Sequence, residues 1–352
     1  MAEHLLEVQD LHTQFFTSRG VVHAVDGASL HIDPGETVGV VGESGCGKTM
    51  MALSVLRLVP EPGRITSGRI TFKGKDVTAM DGEEVRDFRG NEVAMIFQDP
   101  MTSLNPVTKV GDQIEEAMSA HKRFSARQAR ERVVPLLRRV QIPAAEQRAS
   151  DYPHQFSGGM RQRAMIAMGV ANEPSLIIAD EPTTALDVTV QAQIIELLKQ
   201  LNRDLGTAVM LITHNMAVVA SLCQRVIVMY AGRVVEEGPV DKMFKEPQHP
   251  YTWSLLRSVP RLDQGAVQDR LVSIQGLPPD LVRLPPGCKF HPRCPFAEKR
   301  CSVDEPPLEE VSPGQHARCW VLMRNVSPEA EGRAVTEEVS RRAAAAIKEA
   351  GQ

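Results

Sequence analysis

Five short apolar runs punctuate the chain: Thr37 to Val41, Val93 to Phe97, Leu176 to Ala179, Val209 to Thr213 and Val226 to Tyr230. Each is rich in Val or Ile and bounded by turn residues, which predicts buried strands. Between the third and fourth, Val190, Ile194, Leu197, Leu198, Leu201 and Leu205 recur with a 3.6-residue period and predict a helix. Strands alternating with helices predict an α/β fold with a largely parallel sheet covered on both faces.

From about Pro100 to Asn172 the pattern is helical throughout. Val110, Ile114 and Met118 form one stripe, and Val133, Leu136, Leu137 and Val140 form another, which predicts an inserted helical subdomain. Pro135 falls inside the second stripe, where a missing N–H usually marks a kink or an end. Arg127, Arg130, Arg132, Arg138 and Arg139 read as a solvated helix face. After Gly238 prolines crowd in and the alternation stops, so a domain boundary is expected near 240. The resulting division is 1–240, with the helical insertion at about 100–172, then an extension at 241–322 and a charged tail at 323–352. The Ala, Glu and Arg-rich end predicts a frayed helix or a flexible segment.

Composition narrows the function. The 352 residues are 42% hydrophobic and 24% charged, as in globular chains. A formal charge of −4 argues against a protein that coats nucleic acid. No apolar run approaches a membrane span and the N-terminus is polar, so the chain is expected to be soluble and to stay inside the cell. Four of the six cysteines, Cys288, Cys294, Cys301 and Cys319, crowd into the proline-rich extension with five, six and seventeen residues between them. In a reducing compartment such a cluster suggests a metal before it suggests disulfides. Four thiolates suit a structural zinc or an iron–sulfur cluster, and paired Cys-x2-Cys knuckles, the commoner zinc pattern, are absent.

The chemistry begins at Gly42-Glu43-Ser44-Gly45-Cys46-Gly47-Lys48-Thr49, between a predicted strand and an apolar stretch able to form a helix. That is the context of a phosphate-binding P-loop. Its glycines let backbone amides curl toward phosphates, Lys48 adds positive charge, and the Thr49 hydroxyl can ligate magnesium. Leu176 to Ala179 runs into Asp180-Glu181, two carboxylates at a strand's C-terminal end. There Asp180 can hold magnesium and Glu181 can polarise the water that attacks the γ-phosphate.

Further motifs make the chain resemble the ATP-binding cassette (ABC) ATPases over residues 5–240. Ser157-Gly158-Gly159-Met160-Arg161-Gln162, after Phe156, resembles the family signature, with Phe156 and Met160 departing at its edges. Gln98 matches the Q-loop glutamine, Ala185-Leu186-Asp187 the D-loop and His214 the switch histidine. The resemblance implies a P-loop NTPase (RecA-like) core. It also implies an ATP site built from Gly42, Ser44, Gly45, Cys46, Gly47, Lys48, Thr49 and Asp180, with Glu181, His214 and Gln98 catalytic. Magnesium would be held by Thr49, Gln98 and Asp180. Ser157, Gly158 and Gly159 would meet the γ-phosphate bound by a facing subunit, so two cassettes must pair head to tail. Phe15 sits where the family stacks an aromatic on adenine; Phe16 is adjacent, and a strand-edge packing role is the alternative.

The extension narrows the resemblance. His249-Pro250-Tyr251-Thr252-Trp253-Ser254-Leu255-Leu256, then Ile274-Gln275-Gly276-Leu277-Pro278-Pro279, then Pro286-Gly287-Cys288-Lys289-Phe290-His291-Pro292-Arg293-Cys294-Pro295 resemble the C-terminal extension of oligopeptide and dipeptide importer ATPases. This implies a motor subunit on the cytoplasmic face of a prokaryotic membrane. Its partners would be a second, related ATPase, two permease subunits and, indirectly, an external peptide-binding protein, with no nucleic acid. Import of nickel or another small solute is the alternative, and a soluble ABC ATPase acting on nucleic acid or ribosomes is a third reading, opposed by the absence of a coiled coil or second cassette. The resemblance implies a four-iron four-sulfur cluster on the four cysteines, with zinc as the alternative. Its loss is expected to disorder the extension while leaving a distant P-loop able to bind ATP.

Overall fold

Two long strands, β1 (Leu6–Thr17) and β2 (Gly20–Ile32), open the chain and pair antiparallel in the computed structural model, which describes residues 4–121, 124–184, 186–258, 274 and 276–335. Next come β3 (Thr37–Val41), α1 (Lys48–Val55), β4 (Gly63–Phe72) and β5 (Lys75–Asp76), and β4 and β5 extend the first pair into a sheet of order β2-β1-β4-β5. Beyond α2 (Gly82–Asp87) and β6 (Val93–Ile96) the chain is helical: α3 (Pro100–Ser103), α4 (Val110–Ser119), α5 (Ala126–Arg139), α6 (Ala145–Arg148) and α7 (Gly158–Val170). Then β7 (Leu176–Asp180), α8 (Val188–Leu205), β8 (Ala208–Thr213), α9 (Met216–Leu222), β9 (Arg225–Tyr230) and β10 (Arg233–Pro239) restore the alternation. Strands β9, β3, β8, β7 and β6 lie parallel in that order. The five predicted strands are therefore present, each within one residue of its expected limits.

These strands are apolar on both sides because alternate residues feed two cores. Ile177, Ala179, Val209, Leu211, Val226 and Val228 face a core shared with Ile166, Ile194, Leu198 and Val219 of the helices. Leu176, Ile178, Met210, Ile212, Ile227 and Met229 face a second core with Met51 and Val55 of α1 and with Leu6, Val8, Leu11 and Ile70 of the antiparallel sheet. Each buried aliphatic side chain contributes about 1.5–3 kcal/mol. The antiparallel sheet that covers this face was not foreseen. Its first strand slips register between Val8 and Leu11 and again near Thr13, which breaks the two-residue alternation that would announce it.

Pro135 neither ends nor divides α5, which runs through it with Val133, Leu136 and Leu137 buried. Burial of that stripe outweighs one missing backbone bond. The arginines around it make exposed ion pairs, Arg127 with Glu131, Arg130 with Glu115, Arg132 with Glu173 and Arg138 with Glu146.

Past residue 240, α10 (Val240–Lys245), α11 (Pro250–Arg257), β11 (Glu309–Ser312) and β12 (Gln315–Ala317) fold back onto the same sheet. Strand β12 pairs antiparallel with β10, Glu236 opposite Ala317. The fully buried Glu236 carboxylate ties the two parts together, accepting from the amides of Gln248 (2.7 Å) and His249 (2.9 Å) and from the Gln315 side chain (2.8 Å). Residues 328–335 are helical, and Glu331 there accepts from Trp253 Nε1 at 2.7 Å and Arg257 at 2.5 Å. The rest of the predicted tail, 336–352, lies outside the described residues.

Candidate nucleotide site

At the end of β3 the chain turns through Gly42, Gly45 and Gly47, whose φ angles are +154°, +79° and +104°. A Cβ on Gly42 would run into the Met229 carbonyl and Cys46 Sγ, and one on Gly47 into the Ala24 carbonyl. Gly45 has open space around it, so only its conformation calls for glycine there. The Lys48 ammonium is buried inside the curl and donates to the carbonyls of Gly42 (2.8 Å) and Glu43 (2.9 Å). No side chain caps the first turn of α1, so its amides are open to an anion. Ser44 and Thr49 are exposed at the mouth. Cys46 is buried, and burial pushes its thiol up, so it packs as a neutral group.

Two carboxylates meet this loop from β7. Asp180 is buried and accepts a hydrogen bond from Thr49; burial raises its carboxyl, Thr49 opposes that, and the like charge of Glu181 adds to it. A desolvated carboxylate beside a hydroxyl is a pair that a hard cation would satisfy. Glu181 has φ of +46°, and its amide is fixed to the Ile212 carbonyl at 2.8 Å. Its Oε1 lies 3.2 Å from His214 Nδ1, while its Oε2 accepts from Gln98 Nε2 (3.3 Å) and Thr184 Oγ1 (2.9 Å). Gln98 and His214 follow the C-terminal ends of β6 and β8, the edge where parallel sheets place ligands. Thr184 was missed in the sequence, because a threonine after Glu-Pro-Thr carries no signal of its own.

The structure thus gathers Thr49, Asp180, Glu181, Gln98 and His214, and sets the remaining predicted residues apart. Ser157 caps α7 by accepting from the Met160 amide at 3.3 Å. This helix packs on β6 and on α3, α4 and α5, whereas α1 packs on β1, β2 and β7. Gly158 and Gly159 lie against Leu186 and Val190, and a Cβ on Gly159 would stand 2.8 Å from Val190 Cγ1. Asp187 caps α8 through the Val190 amide at 2.9 Å; Ala185 lies outside the described residues. Of the two departures from the signature, Phe156 is buried in the core and Met160 packs partly buried against it. Phe15 is half-buried on β1 with its ring over Gly63.

The extension is not distant from the P-loop, contrary to expectation. Arg293 donates both guanidinium ends to Glu43, at 2.6 and 2.9 Å, and the Glu43 amide donates to Tyr251 Oη at 2.8 Å. Burial opposes the Arg293 charge, but its hydrogen bonds to Glu43 and Tyr230 outweigh this and push its pKa up. Tyr230, Tyr251 and Phe290 pack ring to ring at 4.7–5.3 Å behind this contact. Sequence reading missed it because the pairing residues are 250 positions apart.

The four extension cysteines converge enough that each raised thiol feels others of the set, though burial is the main cause; Cys294 is pushed up to about 12. Amides two residues downstream, of Phe290, Phe296 and Val321, point at Cys288, Cys294 and Cys319. All six cysteines are thiols. No three of the four sulfurs lie within 4.8 Å of one another. Tetrahedral zinc would hold them about 3.8 Å apart. Among the described residues, His4, His31 and Asp33 bring their ligand atoms within 4.8 Å of one another. Burial and the neighbouring Arg225 charge both lower His31, which keeps its ring neutral.

The parallel sheet, the glycine-curled loop over α1 and the carboxylate pair facing Gln98 and His214 define an ATP-binding cassette protein. The ABC transporter family model matches residues 25–184, and that of the oligopeptide/dipeptide transporter C-terminal region matches 235–301. A probable peptide ABC transporter ATP-binding protein of Sinorhizobium fredii is 51% identical over 91% of this chain and 95% of its own. The oligopeptide transport ATP-binding protein OppD of Bacillus subtilis is 49% identical over 90% of this chain and 89% of its own. The chain is also similar to a dimeric ATP-binding cassette in a post-hydrolysis state bound to ADP and Pi, with TM-score 0.60 and 28% identity over 67% of this chain and 98% of that one. The chain belongs to the ABC ATPases of oligopeptide and dipeptide transporters.

Proposed function

We propose that this ABC ATPase drives import of di- or oligopeptides, with the roles of its site residues as follows. ATP lies with its phosphates on residues 42–49, its β- and γ-phosphates drawn by Lys48 and the α1 amides. Thr49 and Asp180 hold magnesium, with Gln98 completing the set; the ion neutralises phosphate charge when bound. Glu181 orients the attacking water, and the single observation that carries this role is the convergence of His214, Gln98 and Thr184 on its carboxylate. Phe15 stacks on adenine, and Ser157, Gly158 and Gly159 serve the ATP of a facing subunit.

The partners are a second related ATPase, two permeases and an external peptide-binding protein, placing the chain on the cytoplasmic face of a prokaryotic membrane. Among the described residues no helix is long and apolar enough to cross a membrane, so the permeases supply the passage. The C-terminal-region match and the peptide-transport relatives support peptide cargo.

Cys288, Cys294, Cys301 and Cys319 hold a four-iron four-sulfur cluster that clamps the extension. The reading rests on four of the six cysteines falling in one proline-rich extension and on the Val321 amide, which donates to Cys319 Sγ at 3.3 Å.

Uptake of labelled peptide into vesicles carrying the assembled transporter tests the cargo. ATP-dependent peptide accumulation, absent with Glu181→Gln, is expected. Nickel accumulation without peptide would replace the proposal with its alternative.

A further inference from the structure

The phosphate loop is glycine-rich, so its own sequence does little to hold it in one curve. Ordering a free residue costs conformational entropy, and glycine loses most. Glu43 is the loop's one acidic side chain, and all its polar groups are engaged. Its carboxylate takes the Arg293 fork at 2.6 and 2.9 Å, its amide donates to Tyr251, and its carbonyl accepts from Lys48 Nζ at 2.9 Å and from the Cys46 amide at 3.3 Å. Arg293 is itself fixed, its side chain only 6% exposed, with further bonds to Tyr230 Oη (3.3 Å) and the Gly276 carbonyl (3.1 Å). A bidentate guanidinium–carboxylate pair restrains orientation as well as distance. The same extension grips the nucleotide half again where the His23 amide donates to the Leu281 carbonyl at 3.0 Å.

We propose that Arg293 is a positioning residue for ATP: through Glu43 it preorganises the phosphate loop, so the extension completes the nucleotide site within the same chain. The Arg293 guanidinium is taken up by Glu43, Tyr230 and the Gly276 carbonyl. It acts by keeping the Glu43 main chain, and with it the seat of Lys48, in the binding curve before ATP arrives, which saves ordering on binding. The inference rests on residues 42–49 being the phosphate loop.

The test is titration of the full-length chain with a fluorescent ATP analogue and magnesium, followed by kcat and KM for ATP in the assembled transporter. Arg293→Ala and Glu43→Ala are each expected to weaken ATP binding about tenfold and raise KM to match. At saturating ATP, kcat should stay within about threefold, because the water-orienting groups are untouched. The double variant should be no weaker than either single, since both remove one interaction. Arg293→Lys, which keeps the charge and loses the fork, should fall between. Wild-type affinity in Arg293→Ala, or effects that multiply in the double variant, would overturn the proposal. So would loss of binding in Arg293→Ala only alongside a collapsed thermal melt, with Glu43→Ala normal, since Arg293 would then serve folding alone. Lys48→Ala is the control. If it binds ATP normally the loop assignment itself fails, whereas its loss of binding beside a normal Arg293→Ala sinks only the positioning role.

Discussion

His214 Nδ1 stands 3.2 Å from Glu181 Oε1, joining the residues that follow β8 and β7. An ionised carboxylate only accepts, so the ring nitrogen facing it carries the proton and the tautomer of His214 is set by Glu181. Glu181 holds its place at φ of +46° because its amide is bonded to Ile212 on the neighbouring strand. A non-glycine residue in that region signals strain held by its surroundings.

Glu181→Gln should therefore keep the shape of the site and lose the carboxylate that orients water. ATP affinity is expected within about threefold of wild type, with kcat lower by about 100-fold or more. Equilibrium titration and phosphate release by the assembled transporter separate the two quantities, and near wild-type turnover would refute the role.

The chain alone should be a weak ATPase. Ser157, Gly158 and Gly159 begin a helix that packs among the helices of the insertion, apart from α1. If the site is shared as proposed, turnover per chain should rise with chain concentration and rise further on adding the partner ATPase and permeases. Full, concentration-independent turnover by monomer would count against the shared site.

Gly47→Ala should abolish ATP binding and destabilise the fold. Its φ is +104° and the added methyl would run into the Ala24 carbonyl. The strain alone is worth about 1–3 kcal/mol. Gly45→Ala, with open space around it, should be the milder variant. Thermal melts of both with nucleotide titrations decide this.

Anaerobic purification should yield brown protein with about four iron and four sulfide per chain. Colourless protein with one zinc would replace the cluster. Full metal content after changing Cys288, Cys294, Cys301 or Cys319 to Ser would remove that residue from the ligand set.

His249 supplies a pH test. Complete burial lowers its pKa to about 3 in the fold. In the unfolded chain it titrates near 6.5. Between these values the unfolded state binds a proton that the folded state refuses, so stability is lost as pH falls, by about 1.4 kcal/mol per unit. His249→Asn keeps a side-chain cap for α11 and removes that proton. From pH 6.5 to 4.5 wild type should lose about 2 kcal/mol more than the variant in denaturant melts; equal slopes would show that His249 does not carry the effect.

Sequence alone determined the parallel strands, α8 and the local motifs, because each rests on neighbours in the chain. Alternation, helical period and the Gly-x4-Gly-Lys-Thr spacing are short-range patterns whose physics is complete within a few residues. Phe97, expected in its strand, lies just past β6, a boundary that pattern does not resolve. Only the tertiary structure decided that Gln98, Thr184 and His214 converge on Glu181, which comes from three strand ends meeting at one edge. It also decided that β1, β2 and β4 cover the second face, since bulges scramble their alternation. Arg293 on Glu43 was beyond local reading for the same reason: a charge pair leaves no periodic mark, and the folding of the extension over the P-loop alone brings the two together.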